Sequence, residues 1–229
     1  MGVVNSTKGE LTIYESHENE NKTIVNESNI YLFSKRTIDF WGAFLGLILL
    51  SPLFLILYIT IKIEDPRSPV FFKQIRVGKN GKQFHMYKFR SMVSNAEELL
   101  ENLLKSNETT GPMFKMKEDP RITRIGKFIR KTSIDELPQL FNVIKGEMSL
   151  VGPRPALPRE VKDYTNYDRQ RLLVVPGCTG LWQVSGRSQI GFNEMVMLDL
   201  QYIKKRSVRF DLLLIIKTLK VFSGTDNAY

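Results

Sequence analysis

The sequence predicts an α+β fold that is attached to a membrane by one apolar helix and carries a β-hairpin and several short helices. Three observations support this prediction. Residues 40–61 form a run of 22 residues without a charge. Two β-rich runs, 70–77 and 83–90, flank a turn, and the helical patterns that follow are short. With 42% hydrophobic residues among 229, the chain can bury a core of this kind, which excludes wholesale disorder.

The charge of the chain indicates polyanionic partners. There are 33 Lys and Arg residues against 24 Asp and Glu, a net charge of +9. Such an excess is typical of proteins that bind nucleic acid, anionic lipid or phosphorylated substrates. The single cysteine excludes an internal disulfide framework, and two histidines are a poor basis for a histidine-rich metal site or a Ser/His/Asp triad. A chemistry based on carboxylates and arginines remains.

Three regions follow from the composition. Residues 1–34 are predicted to be a polar, poorly ordered tail, with five glutamates against two lysines and no feature of a signal peptide. Residues 35–64 are predicted to form the membrane helix. Residues 65–229 are predicted to form a domain on the cytosolic face that carries the candidate site.

The apolar run is predicted to enter a membrane. About 20 apolar residues suffice to cross a bilayer as a helix, and this run lacks the polar stripe of a soluble core helix. The alternative is a fully buried helix, for which so small a chain can hardly build the core. Ser51 and Pro52 lie at the middle. Proline removes a backbone hydrogen bond that a neighbouring hydroxyl can partly replace, so a kink is expected rather than a break.

Charges on both flanks of the run bear on its topology. Lys35 and Arg36 precede it. Lys62 and Arg67 follow it. Positive residues favour the cytoplasmic side of a membrane, so a re-entrant helix that enters and leaves by one face suits both flanks. This topology is favoured over a spanning helix, although spanning helices with a proline kink are common.

Turn and capping patterns predict the other elements. Gly78 and Gly81 lie between the two β-rich runs, which predicts a hairpin. Ser94 and Glu97 form a capping box that opens a helix to about Lys105, and a loop is predicted after it, at 106–119. Further helices are predicted at 120–130, 137–145, 198–203 and 212–222, the last suited to packing or to a membrane interface.

Asp135 and Glu136 are the strongest candidates for chemistry. One interpretation is structural: Ser133 caps a helix and the carboxylates complement its dipole. The other is catalytic: the basic residues before them keep Asp135 ionised, and a carboxylate can attack phosphorus to give an acyl phosphate. Glu136 would then act as a base or complete a divalent-metal site. Sequence neighbours do not supply the opposed carboxylates of a glycosidase.

Two loops are candidate phosphate-binding segments. In residues 151–155, Gly152 lets the backbone approach a ligand, and two prolines hold Arg154 as a fixed bidentate ligand. The same residues also suit an ordinary turn. Residues 176–187 form a Gly-rich loop that ends at Arg187. The sequence contains no P-loop and no dinucleotide-binding glycine pattern.

In this order, the motifs resemble the bacterial sugar transferases, the monotopic polyprenol-phosphate phosphoglycosyltransferases. The resemblance covers roughly residues 33–222. It is carried by residues 35–40, the Ser51-Pro52 pair, 78–92, 132–143, 146–155, 176–187, Asp199 with Tyr202, and 211–218. Several long motifs in one order are far more specific than any one of them.

The resemblance implies an enzyme that moves a sugar 1-phosphate from a UDP-sugar to undecaprenyl phosphate and releases UMP, in ping-pong fashion with Mg²⁺. Asp135 matches the family's nucleophile, which forms a phosphosugar-aspartyl intermediate, and Glu136 matches its partner. Both carboxylates are expected at the metal. The resemblance also implies that the apolar helix is re-entrant and broken at Ser51 and Pro52.

The expected substrate- and phosphate-binding residues are Arg130, Arg154, Arg187, Asp199, Lys88 and Arg90. Arg130 and Arg154 fall on phosphate-contacting positions of the family. Larger relatives carry several spanning helices ahead of the catalytic unit, and this chain resembles the minimal form. Cys178 is expected to be a small packing residue without a redox role.

The expected partners are a UDP-sugar, undecaprenyl phosphate and the bilayer, with a homo-oligomer and downstream glycosyltransferases as further candidates and no nucleic acid. The expected place is the cytoplasmic face of the bacterial inner membrane, at the first step of exopolysaccharide, capsule or other surface glycan assembly. Galactose or glucose is expected from family frequency, ahead of N-acetylated sugars. Two alternatives stay open: a membrane-anchored basic protein that binds nucleic acid or anionic lipid, and a glycosyltransferase that moves the sugar without its phosphate.

Overall fold

The computed structural model describes residues 23, 25–103, 116, 118–186 and 190–223. It confirms a mixed fold of helices and small sheets. In chain order the elements are α1 (Asn29–Glu64), β1 (Phe71–Val77), β2 (Gln83–Phe89), α2 (Ala96–Leu103), α3 (Arg124–Lys131), α4 (Gln139–Lys145), β3 (Ser149–Val151), α5 (Pro158–Lys162), α6 (Asn166–Arg169), β4 (Gly177–Thr179), α7 (Leu181–Ser185), α8 (Phe192–Lys205) and α9 (Val208–Ser223).

Helix α1 runs through the Ser-Pro pair without interruption and is long and apolar enough to cross a membrane. Only 11% of its most apolar window is buried, which argues against the core-helix alternative. Pro52 cannot donate to the carbonyl of Ile48, four residues before it. The Ser51 hydroxyl donates to that carbonyl instead, at 2.8 Å. The expected replacement bond is therefore present. The helix is not broken at Ser51 and Pro52, contrary to what the resemblance implied.

Both ends of α1 bind backbone groups of the domain that follows. Arg36 donates from Nη1 to the Val143 carbonyl and from Nη2 to the Ile144 carbonyl, both at 2.6 Å, in the last turn of α4. Glu64 accepts a 2.9 Å hydrogen bond from the Arg124 amide in the first turn of α3. Each charge has the sign that complements the dipole of the helix end it contacts. We call these two contacts the α1 clamps.

A second set of contacts ties α1 to the C-terminal helix and to β3. Lys35 donates to Asp211 in α9 and to the Val151 carbonyl in β3, at 3.0 Å each. Asp39 accepts from the Leu150 amide at 2.9 Å. These polar side chains precede the apolar run and are satisfied by the domain.

The apolar face of α1 packs on the same domain near its C-terminal end. Leu57 and Ile61 join Val70, Phe89 and Ile129 in one buried cluster. The contacts of α1 therefore reach from the α9 side of the domain to the hairpin and α3.

The predicted hairpin is confirmed. Strands β1 and β2 pair antiparallel with Phe71 opposite Phe89 and Val77 opposite Gln83. Their connection places Asn80 at φ 56° and Gly81 at φ 78°. This left-handed backbone suits Asn and Gly.

The helix predictions are confirmed in kind, with shifted ends. α2 and α3 begin later than predicted, and the Thr123 hydroxyl caps α3 by accepting from the Gly126 amide. α4 ends at Lys145, as predicted, and is capped by Gly146 at φ 80°. α8 begins at Phe192, earlier than predicted. Most of the loop predicted at 106–119 lies outside the described residues.

The parallel pairing of β3 with β4 was not predicted and gives Gly152 a packing role. Ser149 lies opposite Gly177 and Val151 opposite Thr179. A Cβ on Gly152 would come within 2.6 Å of the Val175 carbonyl oxygen and 2.7 Å of the Gly177 nitrogen. The close passage of two backbone segments is therefore sufficient to require glycine at this position.

Candidate active site

The two candidate carboxylates lie on a short 3₁₀ turn, Ile134–Glu136, between α3 and α4. Ser133 before them has φ 55°, and its side chain makes no capping hydrogen bond. The purely structural interpretation, in which Ser133 caps a helix, is therefore not what the fold contains. The α1 clamps bind the outer ends of α3 and α4, so they hold the segment that carries this turn.

Lys88 of β2 lies against both carboxylates. Its Nζ is 2.6 Å from Glu136 Oε1 and 3.9 Å from Asp135 Oδ2. The Asp135 side chain is 7% exposed and that of Glu136 is 44% exposed. The hairpin thus supplies a cation to a site in which one carboxylate is buried and the other faces outward.

The surroundings shift the pKa values of the two carboxylates in opposite directions. Burial raises the pKa of Asp135 to about 6, and the negative charge of Glu136 adds to this, while Lys88 and Arg130 oppose it. Partial burial of Glu136 would by itself raise the pKa of this carboxyl as well. Lys88 outweighs it, with help from Arg154 and Arg76, and holds the pKa of Glu136 below its usual range. Two neighbouring carboxylates with pKa values shifted in opposite directions are typical of acid–base or nucleophilic sites.

Arg154 is held next to this pair by buried partners. Its Nη1 lies 3.2 Å from Oε2 of the buried Glu160. The backbone carbonyl of Pro155 accepts a 2.8 Å hydrogen bond from Nη1 of Arg76. The loop that presents Arg154 is thus fixed from both sides, and its guanidinium is a rigid cation beside Glu136.

Arg76 is a site residue that sequence reasoning misplaced. A charged residue on a strand is normally assigned to the surface, but Arg76 is buried. The missed signal is the hairpin register. Arg76 pairs with Phe84 and Gln74 pairs with Met86, and directly paired residues share a face of the sheet. Because Phe84 and Met86 are buried, Arg76 must point inward with them.

The other predicted binding residues are not all brought to the carboxylates. Arg90 donates from Nε to the Pro69 carbonyl at 2.7 Å and lies over the Phe72 ring, so its described contacts are structural. Arg187 lies outside the described residues. Arg130 is near enough to lower the pKa of Asp135.

Asp199 lies in the core and not on the accessible surface of the site. Its Oδ2 is 2.6 Å from Nη2 and 2.8 Å from Nε of Arg171, and both side chains are almost completely buried. Burial raises the pKa of Asp199 to about 6 although Arg171 opposes this. Arg171 in turn donates to the Arg154 carbonyl at 3.3 Å. The geometry makes Asp199 a support for the Arg154 loop, and a direct contact to substrate would require it to leave the core.

The described residues contain no group of three or more histidine, cysteine, aspartate or glutamate side chains placed to hold a metal ion. Mg²⁺ is ordinarily held by one or two carboxylates together with substrate phosphates and water. Asp135 and Glu136 fit that mode, with Glu136 the more accessible. They do not fit a dedicated site made of protein ligands alone, because Lys88 already lies against them.

The family model described as bacterial sugar transferase matches residues 30–224. The chain belongs to this family. The resemblance drawn from the sequence motifs is thereby confirmed.

Individual relatives agree with this assignment. The galactosyl transferase CpsE of Streptococcus agalactiae is 50% identical over 192 residues, which cover 83% of this chain and 42% of that protein. The undecaprenyl-phosphate galactose phosphotransferase of Salmonella typhimurium is 45% identical over 201 residues, with 86% and 42% covered. The exopolysaccharide production protein ExoY of Sinorhizobium fredii is 42% identical over 200 residues, with 86% and 88% covered. The chain spans less than half the length of the first two relatives.

Substituting Asp199 with Asn is expected to lower the free energy of unfolding by about 3–5 kcal/mol, because it leaves the Arg171 charge buried without its partner. Denaturant titration in a neutral detergent measures the change. Glu194→Gln is the matched control, since Glu194 is exposed on the same helix and should change stability by less than about 0.5 kcal/mol. Equal stability of the two variants would contradict the supporting role.

Proposed function

We propose that this protein transfers a sugar 1-phosphate from a UDP-sugar to undecaprenyl phosphate and releases UMP. The observation that carries the proposal is the buried Asp135 carboxylate beside Glu136 and Lys88. Relatives named as a galactose phosphotransferase and as a UDP-galactose-lipid carrier transferase support the substrate classes. The reaction would be the first step in building a surface polysaccharide, consistent with the name of ExoY.

The proposed first step is attack by an Asp135 oxygen on the β-phosphorus of the UDP-sugar. The new oxygen–phosphorus bond forms as the bond to the bridging oxygen of the diphosphate breaks, and UMP leaves. A phosphate oxygen of undecaprenyl phosphate then attacks the same phosphorus and frees the carboxylate. The product is the lipid-linked diphosphate sugar. Each half-reaction is a displacement in which no redox partner is needed.

The chain's own residues would prepare the nucleophile and manage charge. With a pKa of about 6, Asp135 is mostly ionised at pH 7. Arg154 and Arg130 supply positive charge near the carboxylates, where a diphosphate has to be neutralised. Glu136, as the exposed member, would hold Mg²⁺ together with the substrate diphosphate. When bound there, Mg²⁺ would neutralise charge on the departing UMP.

We infer that α1 is re-entrant. The α1 clamps join its two ends to one domain, through α4 at Arg36 and through α3 at Glu64. If α1 crossed the bilayer, that one domain would have to reach both faces of the membrane, across about 30 Å of hydrocarbon. Entry and exit by one face, with α1 helical throughout, avoids this requirement. The positive flanks favour the cytoplasmic face.

Exposed apolar side chains outside α1 support the same orientation. They lie on three short helices that also contact α1 or the carboxylate turn, and they are Phe128, Phe141, Leu212, Leu213, Ile216 and Leu219. Apolar side chains in such number are normally covered in a soluble monomer. Helices that lie in the membrane interface would bury them in lipid.

The identity of the sugar remains a proposal drawn from relatives. Galactose is named for several of them, and N-acetylgalactosamine for the Aeromonas hydrophila relative. An isotopic label in the donor distinguishes phosphosugar transfer from the alternative, a glycosyltransferase that moves the sugar without its phosphate. With the donor's β-phosphate labelled, phosphosugar transfer puts the label in the lipid product, whereas sugar transfer leaves it in UDP.

Asp135→Asn is expected to reduce UMP release by at least about a thousandfold, because the amide cannot form the phosphosugar intermediate. The variant should still fractionate with membranes, since α1 is unchanged. Mass spectrometry of the wild-type protein quenched with donor alone should find the sugar phosphate on the peptide that contains Asp135. Full activity of the variant, or no adduct on that peptide, would overturn the mechanism.

Activity is expected to fall as the pH drops through about 6, because protonation removes the nucleophile and the Asp135 pKa is raised to about 6 from 3.8. Lys88→Gln removes the cation that lowers this pKa. In this variant the acid limb of the pH profile, the range over which activity falls as the pH drops, should therefore lie at higher pH. Lys73→Gln is the matched control, because Lys73 is exposed on the same hairpin and lies over the Tyr87 ring. The pH profile of UMP release measures both, and an unmoved limb in Lys88→Gln would contradict the role of Lys88.

The topology is testable with single cysteines at exposed positions of α1. Phe33→Cys and Ile63→Cys replace side chains that are 76% and 75% exposed near the two ends, and both should react with an impermeant thiol reagent from the same face. Leu49→Cys, at 77% exposure in the middle, should be shielded by lipid. The unsubstituted chain, which keeps Cys178, gives the background. Labelling of the two ends from opposite faces would make α1 a spanning helix.

A further inference from the structure

A pocket with both apolar and charged lining residues lies away from the candidate carboxylates, where α1 approaches its apolar run. Its volume is about 110 Å³, and its charged lining residues are Lys35, Arg36, Asp39, Lys79 and Arg206. Its wall contains neither Asp135 nor Glu136 nor Lys88. We call it the α1 entry pocket. It is a feature separate from the site described above.

Positive charges exceed negative ones around the α1 entry pocket. Four cationic side chains line it against the single carboxylate of Asp39. Asp211, which pairs with Lys35, and Glu27, 4.0 Å from Lys79, offset two more positive charges. Asp39 is already engaged with the Leu150 amide. The balance of cations over these carboxylates favours an anionic ligand.

Arg206 gives an independent sign that a partner belongs in the pocket. Its side chain is 5% exposed and lines the pocket, and its Nε has no hydrogen-bond partner within the described part of the chain. Its Nη2 donates to the Asn26 carbonyl, and its guanidinium lies 5.3 Å from the centre of the Tyr31 ring. Among the described residues, no carboxylate forms an ion pair with this nearly buried guanidinium. A buried cation without a counter-charge is costly, and an anion in the pocket would supply that charge.

The size of the pocket limits the ligand. Sites for drug-sized ligands are about 300–1,000 Å³, so 110 Å³ is too small for a nucleotide sugar. A single phosphate group fits. Arg36 lies four residues, about 6 Å along the helix, before Phe40, the first residue of the apolar run. That distance puts the pocket at the level of the lipid headgroups when α1 is inserted.

We propose that the α1 entry pocket binds the phosphate group of an anionic membrane lipid. The lipid would be held by Lys79 and Arg206 at the point where α1 enters the bilayer. The role differs from the transfer chemistry, because none of the groups proposed to react lies in the pocket. It would fix the depth of α1 and not take part in a reaction.

Lys79→Glu is the test variant and Lys82→Glu is its control. Lys79 is 40% exposed, and its ion pair with Glu27 spans 4.0 Å, so its replacement should leave the fold intact. Lys82 follows three residues later in the same hairpin connection, is exposed and does not line the pocket. Both variants change the net charge equally, so general attraction to anionic lipid is matched between them.

The experiment uses the full chain in a neutral detergent and isothermal titration with three probes: a short-chain phosphatidylglycerol, the matching phosphatidylcholine, and inorganic phosphate. The wild type should bind phosphatidylglycerol and prefer it to phosphatidylcholine. Lys79→Glu should bind phosphatidylglycerol about tenfold more weakly, as expected for a lost charge-assisted contact, while Lys82→Glu stays within about twofold of the wild type.

The remaining outcomes decide the source of the phosphate. Competition by inorganic phosphate against phosphatidylglycerol supports recognition of the phosphate group. Binding of inorganic phosphate without any binding of phosphatidylglycerol would overturn the lipid as the source. Equal weakening in the two variants, or none in either, would overturn the pocket as the site.

Discussion

The structure depends on the contact between the long apolar helix α1 and the two helices that flank the carboxylates. Arg36 satisfies carbonyls at the end of α4, and Glu64 satisfies amides at the start of α3. Helix ends leave such backbone groups without intrahelical partners, so each side chain supplies hydrogen bonds that the helix itself cannot make. The turn between α3 and α4 carries Asp135 and Glu136. The apolar helix and the candidate site are therefore coupled through these contacts.

The site is built from charges of opposite sign that no single segment supplies. The turn provides two carboxylates, the hairpin provides Lys88, and the loop after β3 provides Arg154. Burial disfavours ionised carboxylates, and the cations offset that cost unequally. The outcome is a buried carboxylate with a raised pKa beside one whose pKa lies below its usual range. Two adjacent residues of similar chemistry are thus given different properties by their neighbours.

Much of the fold could be predicted because its signals are local. Gly146 ends α4 through its left-handed backbone, and the Gly-containing connection defines the hairpin. The Ser51 hydroxyl replaces the bond that Pro52 removes, which spacing alone suggested. The β3–β4 pair was missed because three-residue strands leave too short a pattern. Their pairing is decided by a long-range contact that only the folded chain reveals.

The two carboxylates of the site could be predicted from the sequence, whereas the charged residues that surround and hold them could be predicted only in part. Asp135 and Glu136 stand out by sequence, and Lys88 stands out only through the resemblance. Arg76 was misplaced because a charge is normally assigned to the surface, although the strand register contradicts this. Asp199 was read as a ligand, whereas its contacts are with Arg171 in the core. Packing between segments that are distant in sequence decides which charged residues are buried. The hydrophobic periodicity of a single segment carries no information about this packing.

The α1 clamps also limit how α1 can be exchanged. Arg36 and Glu64 bind backbone groups at the outer ends of α4 and α3. An unrelated apolar helix grafted in place of α1 would lack these two side chains, and the outer ends of both helices would lose their hydrogen-bond partners. Sequence change in α1 is therefore constrained more tightly at its polar ends than along its exposed apolar faces.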